Sequence, residues 1–313
     1  MSQIPDTVHA AATRALPFLV DLGRVAVWHP PCPEVVLGMA TATLELVIKP
    51  RSGWQPVDFG ELWQFRELLG FLIWRDIKVR YKQTVLGGLW AILQPFIGMV
   101  VFGALFTAVA SIKSDGSPYP LFVFAGLVPW TFFANSLGLA SNSLLGSEQM
   151  IRKTYFPRLL IPLAVVLALG LDMLISFLFM GLLLVYYHWP VTSSLLWLPL
   201  FIAGSFLAAC GMGLFLAALN VRYRDVKYVV PFFTQMAFFL TPVIYPARYI
   251  PASLKILLGV NPMAGMVEGF RFALLGSPVS WDLVWISCAT SLLFFVAGLY
   301  FFRRMERTFA DVI

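Results

Sequence analysis

Charge is what this sequence has little of. Only 12% of its 313 residues are Asp, Glu, Lys or Arg, against roughly 25% in soluble domains. No charged side chain lies between Lys82 and Lys113, Asp115 and Glu148, Asp172 and Arg222, Lys227 and Arg248, or Asp282 and Arg303. A helix crosses roughly 30 Å of hydrocarbon with about 20 apolar residues, and each gap holds 20 or more. That pattern excludes a soluble core and, with 59% hydrophobic residues, indicates a multi-pass membrane protein.

Cysteine and histidine are also scarce. Cys32, Cys210 and Cys288 are scattered without CxxC spacing, which argues against a zinc site or a disulfide framework. His9, His29 and His188 are isolated, so no metal is expected. There is no GxxxxGK[ST] phosphate loop, no GxSxG and no HExxH, so the chain is expected to hydrolyse no nucleotide and to act as no enzyme. A basic patch followed by an unbroken apolar run and a small-residue cleavage site is missing at the amino terminus, and no cleavable signal peptide is expected.

The gap from Asp172 to Arg222 is too long for one crossing and contains His188-Trp189-Pro190, so it divides into two spans joined by a turn. Six spans result, at about 89-111, 121-141, 160-187, 196-219, 229-245 and 281-302, and both termini then share one side. Eighteen of the 22 Lys and Arg fall before span one or after spans two, four and six; only Lys113, Arg248, Lys255 and Arg271 fall opposite. The positive-inside rule places the termini in the cytoplasm. The same distribution explains the net charge of +6 better than nucleic-acid binding does, and no nucleic-acid partner is expected.

Residues 1-60 form a cytoplasmic amino-terminal segment. Pro5, Pro17, Pro30, Pro31 and Pro33 break residues 1-43 too often for a long helix, and that stretch receives no role. Thr43 to Ile48 alternates in the manner of a short strand or hairpin, with Pro50-Arg51-Ser52-Gly53 as its turn. Residues 61-83 change to helical spacing, with Leu62, Phe65, Leu69, Leu72, Ile73 and Ile77 on one face. Trp63, Trp74 and the basic cluster Arg75, Lys78, Arg80 and Lys82 suit an amphipathic helix in the cytoplasmic headgroup layer. Such a helix either orients span one or passes a push from a cytoplasmic partner into the membrane.

The loop 143-158 carries Glu148, Arg152, Lys153 and Tyr155 and has room for a short helix parallel to the membrane. It is read as a docking element, with a solvated connector as the alternative. Pro231, Pro242 and Pro246 bracket span five and leave about 11 to 15 helical residues, roughly 17 to 22 Å, too short for a comfortable crossing. The apolar stretch 246-280, broken at Gly259 and Asn261-Pro262, fits two short helices that re-enter the outer leaflet.

Asp172 is the lone acid placed in the interior of a span, which makes it a functional candidate; it either couples to protons or pairs with an Asn, Tyr or Ser of another helix. Aromatic residues make up 15% of the chain, and Tyr119, Trp130, Phe132, Phe133, Tyr186, Tyr187, Trp189, Tyr245 and Tyr249 sit at outer span ends. They form an interfacial belt, or a subset faces a pore, where ring faces suit the C-H faces of sugars.

The run Arg75-Asp76-Ile77-Lys78-Val79-Arg80-Tyr81-Lys82-Gln83-Thr84-Val85-Leu86-Gly87, followed by Leu89-Trp90-Ala91-Ile92-Leu93-Gln94-Pro95, resembles the ABC-2-type permeases that export polysaccharides. So do Tyr155-Phe156-Pro157-Arg158, Ala218-Leu219-Asn220-Val221-Arg222-Tyr223-Arg224-Asp225, Thr241-Pro242-Val243-Ile244-Tyr245-Pro246, and Asn261-Pro262 with Glu268-Gly269-Phe270-Arg271, all in the family's order. The likeness runs from about Leu44 to the carboxyl terminus and is closer to the O-antigen type than to the capsule type; residues 1-43 match nothing in it.

This resemblance implies an all-α membrane protein of the type V exporter fold, with six transmembrane helices, an amino-terminal interface helix and re-entrant gate helices between spans five and six in the membrane domain 84-313. It implies a homodimer in the bacterial inner membrane with a pore between subunits. Two copies of a separate ATP-binding subunit would dock beneath and carry the ATP and Mg that this chain lacks. By motif, 61-83 is similar to the interface helix, 143-158 to the coupling helix and 253-275 to the paired gate helices, including Asn261, Phe270 and Arg271. A cysteine near Met263 or Met266 would then meet its counterpart across the dimer. The implied cargo is an undecaprenyl-diphosphate-linked polysaccharide. Arg75, Arg80, Lys82, Arg222 and Arg224, beside Lys78 and Asp225, would hold its diphosphate or attract anionic lipid. O-antigen, capsule and teichoic acid stay open. An ABC-2 exporter of a drug or small lipid is the alternative. A membrane glycosyltransferase is disfavoured because Asp115, Glu268 and Asp282 are too far apart in sequence to argue for a site.

Overall fold

The computed structural model describes residues 59-82, 84, 87-109, 116-306 and 309. The segment 1-43, the expected hairpin at 43-53 and Lys113 lie outside them. All regular structure among the described residues is helical: α1 (Phe59–Gln64), α2 (Arg66–Tyr81), α3 (Leu89–Val109), α4 (Tyr119–Gly146), α5 (Glu148–Lys153), α6 (Leu160–Tyr186), α7 (Leu198–Arg222), α8 (Val226–Leu240), α9 (Ala252–Gly259), α10 (Pro262–Leu275) and α11 (Trp281–Met305). Short 3-10 turns occupy Ser193–Trp197 and Ala247–Tyr249.

Among the described residues, four helical stretches are long and apolar enough to cross a membrane: Tyr119–Gly146, Leu160–Tyr186, Ser193–Arg222 and Trp281–Met305. Leu89–Leu105 and α8 are shorter apolar helices. With 15 residues, α8 is about 22 Å long; Pro231, expected to bracket it, lies inside the helix, which begins at Val226. It stops at Leu240 because Thr241 precedes Pro242 and turns to an extended backbone, the conformation a following proline imposes. The split of the long charge-free gap falls where His188-Trp189-Pro190 places it. His188 takes a left-handed φ of 51°, and the Trp189 indole donates to the Leu275 carbonyl at 3.2 Å.

At the centre α4 packs against α3, α6, α7, α8 and α10, while α7 packs along α11. The α7 to α11 crossing depends on two glycines. A Cβ at Gly298 would overlap the Gly211 carbonyl, and one at Gly211 would strike the backbone of Phe294 and Phe295. A second hydrophobic cluster joins Leu72 of α2, Leu144 of α4, Ile151 of α5, Phe156, and Phe302 of α11. Leu62, Phe65, Leu69 and Ile73 pack against it, so the apolar face read from the sequence is the face that docks. Trp63, Phe71 and Trp74 stay more than 60% exposed. The single helix expected over 61-83 is instead two, broken at Phe65.

Candidate functional site

A cavity of about 540 Å³ lies between α2, α3, α4 and α6. Its walls are Arg80, Tyr81, Thr84, Gly87, Trp90, Ala91 and Gln94 from α2 to α3, Val128, Thr131, Phe132, Asn135 and Leu139 of α4, and Leu169, Asp172, Met173 and Ser176 of α6. The α2 helix packs along α6, which brings its last turn to Asp172. There Arg80 Nη1 lies 2.8 Å from Asp172 Oδ2, and the Tyr81 hydroxyl donates to Asp172 Oδ1. Burial, reinforced by Asp172 as acceptor, raises the Tyr81 phenol well above its ordinary value and keeps it protonated. Asp172 is therefore a paired acid held by a tyrosine and an arginine, one of the two readings its isolation allowed. Ser176 Oγ lies 3.0 Å from the Ala91 carbonyl, tying α6 to α3. Asn135 Nδ2 donates to Gln94 Oε1 at 3.2 Å, tying α4 to α3.

This pairing corrects the basic cluster. Arg80 faces a carboxylate at the cavity wall rather than standing unpaired, and Arg75 pairs with Asp76 at 2.8 Å. Lys78 and Lys82 are exposed. Arg222, Arg224 and Asp225 are exposed where α7 turns into α8, with the Arg222 guanidinium 5.5 Å from the Tyr223 ring centre.

The loop expected to dock a partner forms the short helix α5. Ile151 and Phe156 anchor it, leaving Arg152, Lys153 and Tyr155 exposed and Glu148 partly so. Tyr155 keeps 83% exposure, and Glu148 bridges Arg152 at 2.7 Å. At the other side of the cluster, Arg158 Nη1 donates to the Glu306 carbonyl at 2.8 Å, fastening this loop to the end of α11.

The segment 246-275 breaks into α9 and α10 at Asn261-Pro262, as expected. Asn261 caps α10 by accepting the Met263 N-H at 3.0 Å, while its Nδ2 donates to Thr241 Oγ1 at 2.7 Å. Thirteen of the 14 residues of α10 are buried within the single chain. Met263, Met266 and Phe270 have no exposure within a single chain. Phe270 stacks on Phe177 at 5.5 Å.

Arg271 is an internal staple rather than a pore residue. It donates to the carbonyls of Phe122 at 3.1 Å, Pro242 at 2.7 Å, Tyr245 at 3.3 Å, and Val243, and lies 3.6 Å over the Phe122 ring. The proline-broken turn 241-246 cannot pair its carbonyls in a helix, and a buried carbonyl needs a donor. Gly126 is required beside it, because a Cβ there would sit 2.7 Å from the guanidinium. Glu268 is buried nearby with Oε2 unpartnered, and burial raises its pKa.

Three more aromatics assigned to the pore are core residues. Trp130, Phe132 and Phe133 are at most 5% exposed; Phe132 packs on Phe206 at 4.6 Å and Trp130 on Phe238 at 5.8 Å. Phe132 alone of the three also lines the cavity. Tyr119 and Tyr245 are partly buried and bind carbonyls of Ile244 and Phe239 at 3.0 and 3.1 Å; Tyr249 is 55% exposed. Aromatic residues near span ends satisfy both a belt and a core, and only packing separates the two.

Sequence reasoning did not single out Tyr81, Gln94, Asn135 or Asn220. Asn220 is wholly buried and joins α7 to α4 by donating to the Ser141 carbonyl at 2.8 Å. Side-chain amides inside charge-free stretches were the available signal, since an amide in hydrocarbon needs a partner.

A family model described as ABC-2 type transporter matches residues 67–275. The chain is 30% identical to the O-antigen export system permease protein RfbA of Myxococcus xanthus over 258 residues, covering 81% of this chain and 98% of the relative. It is 29% identical to the protein of the same name from Klebsiella pneumoniae over 248 residues, 79% and 95% of the two chains. The polysialic acid transport protein KpsM of Escherichia coli is 24% identical over 242 residues, 75% and 92% of the two chains.

Proposed function

This chain belongs to the ABC-2 type transporter family, and from that membership we propose that it is the membrane permease of an ATP-driven polysaccharide exporter of the O-antigen kind. The observation that carries the reading is its alignment along nearly the whole length of relatives named as O-antigen export permeases. In this reading the chain crosses the bacterial inner membrane six times, with α3 and α8 as the first and fifth spans and both termini in the cytoplasm. Two copies form the pore. Each carries one copy of an ATP-binding subunit, which supplies ATP and Mg, and the cargo rides on undecaprenyl diphosphate.

The shape of α5 supports docking of that subunit, because a helix with two anchored apolar residues and four polar or aromatic residues turned outward is a contact surface. A push on α5 would pass through Ile151 and Leu72 into α2, whose far end grips Asp172 on α6. The α9 to α10 pair would close the outer end of the pore by moving as a packed unit with α11, against which both helices lie, since α10 itself is interior. Lys78, Lys82, Arg222 and Arg224 are the cations left to meet the diphosphate or the anionic headgroups.

The test is deletion of the chain from its host. Lipid-linked polysaccharide should accumulate at the cytoplasmic face and vanish from the surface. Unchanged surface polysaccharide overturns the reading.

A further inference from the structure

We propose that the cavity between α2, α3, α4 and α6 is a subsite for an uncharged sugar residue, and that the exported polymer is accordingly a neutral glycan. The inference rests on the polysaccharide-export reading and narrows its substrate class. At about 540 Å³ the cavity falls within the roughly 300–1,000 Å³ of small-molecule pockets. Its wall offers what a pyranose uses. The Trp90 ring, 59% exposed, presents an aromatic face for C-H groups. Gln94 and Asn135 share one hydrogen bond, which leaves the amide NH₂ of one and the carbonyl oxygen of the other for sugar hydroxyls. Thr84, whose hydroxyl donates to the Tyr81 carbonyl at 3.3 Å, adds an acceptor oxygen.

Charge decides which sugar fits. Arg80 and Asp172 are the only ionised groups among the described residues of the lining, and they neutralise each other at 2.8 Å. A sugar carboxylate placed here would meet Asp172 beside the one cation it needs, in a wall made largely of apolar helices where like charges repel strongly. Releasing Arg80 to serve it would leave Asp172 with the Tyr81 hydroxyl but without a cation. A polymer with an acid on each repeat, such as a sialic-acid polymer, would encounter that repulsion at every step. A neutral sugar encounters none, and the ion pair still supplies polar edges for hydroxyls.

The experiment starts from the host strain and its deletion. The surface polysaccharide that disappears with the chain is isolated, freed of lipid by mild acid, and analysed for uronic acids, sialic acids and other charged substituents. A repeat unit without charged sugars is expected; a charged sugar in each repeat overturns the proposal while leaving the export reading intact. If no surface polysaccharide disappears, the export reading fails and the subsite with it. A second arm uses the full chain with its ATP-binding subunit in the same host. Gln94→Ala with Asn135→Ala should lower surface polymer about fivefold to tenfold at unchanged membrane abundance, as loss of ligand hydrogen bonds does. Unchanged polymer overturns the subsite. Should that double variant fail to reach the membrane, Trp90→Ala, at a position too exposed to carry the fold, takes its place: a fall in surface polymer of the same size is expected, and unchanged polymer again overturns the subsite.

Discussion

Two ionisable residues that look alike in the sequence, Asp172 and Glu268, have opposite fates. Asp172 has a cation and a phenol within hydrogen-bonding distance. Removing it leaves Arg80 facing a cavity alone. Because Arg80 and Asp172 keep 26% and 20% of their side-chain exposure, Asp172→Ala should cost about 2–3 kcal/mol, below the roughly 3–5 for a fully buried pair. Arg80→Gln combined with Asp172→Asn should recover part of that loss, and thermal unfolding of the purified variants measures both. A single variant that unfolds with the wild type would leave the pair without a structural role.

Glu268 lacks full compensation: one oxygen has no partner, and burial raises its pKa above the ordinary 4.5. The folded chain then holds that proton more tightly than the unfolded chain does. The sign follows from linkage: the stabilisation from this group is complete below pH 4.5 and is lost as pH rises through the raised folded value. Glu268→Gln should flatten the pH dependence of the melting temperature and raise that temperature at neutral pH. A variant with the wild-type pH profile would show that the carboxyl is compensated by neighbours.

Among the elements, the α7 to α11 crossing and α5 make different demands. Gly298 meets the Gly211 carbonyl with no room for a side chain, so Gly298→Leu must part the two helices and should destabilise by about 1–3 kcal/mol or more. Gly138 has nothing within 4 Å of an added Cβ, and Gly138→Ala should be tolerated or gain about 0.5–1 kcal/mol of helix stability. The contrast is read by membrane abundance and melting temperature. For α5, fold and function separate along its two faces. Glu148→Ala with Arg152→Ala removes an exposed ion pair worth at most about 1 kcal/mol, so insertion and melting should be unchanged. Export should fall, because those side chains are the proposed contact with the ATP-binding subunit. Normal export by that double variant removes α5 from the coupling path.

The described helices form a packed interior around α4 and α10 and carry large exposed apolar residues outside, among them Leu174, Leu178, Leu182 and Val185 along α6. A surface of that kind is stable in lipid or against a second copy. The division of labour follows at the same scale. The purified chain alone should show no ATP hydrolysis, and hydrolysis should appear when the ATP-binding subunit is added. Turnover by the isolated chain, free of contaminants, would contradict a permease without its own nucleotide site.

Helix positions were legible in the sequence because they depend on local causes. Charge-free length, the proline at 242 and the His188-Trp189-Pro190 turn each act within a few residues of the helix ends they set, whereas Pro231, expected to bound span five, lies inside α8. The break at Asn261-Pro262 was legible for the same reason. Partnerships were not. Arg80 and Asp172 are separated by 92 positions, Tyr81 and Asp172 by 91, and Arg271 reaches Phe122 across 149. Whether a basic residue near a span end meets lipid, a carboxylate or a row of orphaned carbonyls depends on how two helices are rotated about their axes when they pack. Periodicity alone identified the apolar face of α2 because that face has one neighbouring cluster. For α4, free of charge along its length, the sequence determined that the helix is long and apolar enough to cross a membrane, and only the tertiary structure decided which aromatic became core, which lined the cavity, and which charge was cancelled inside it.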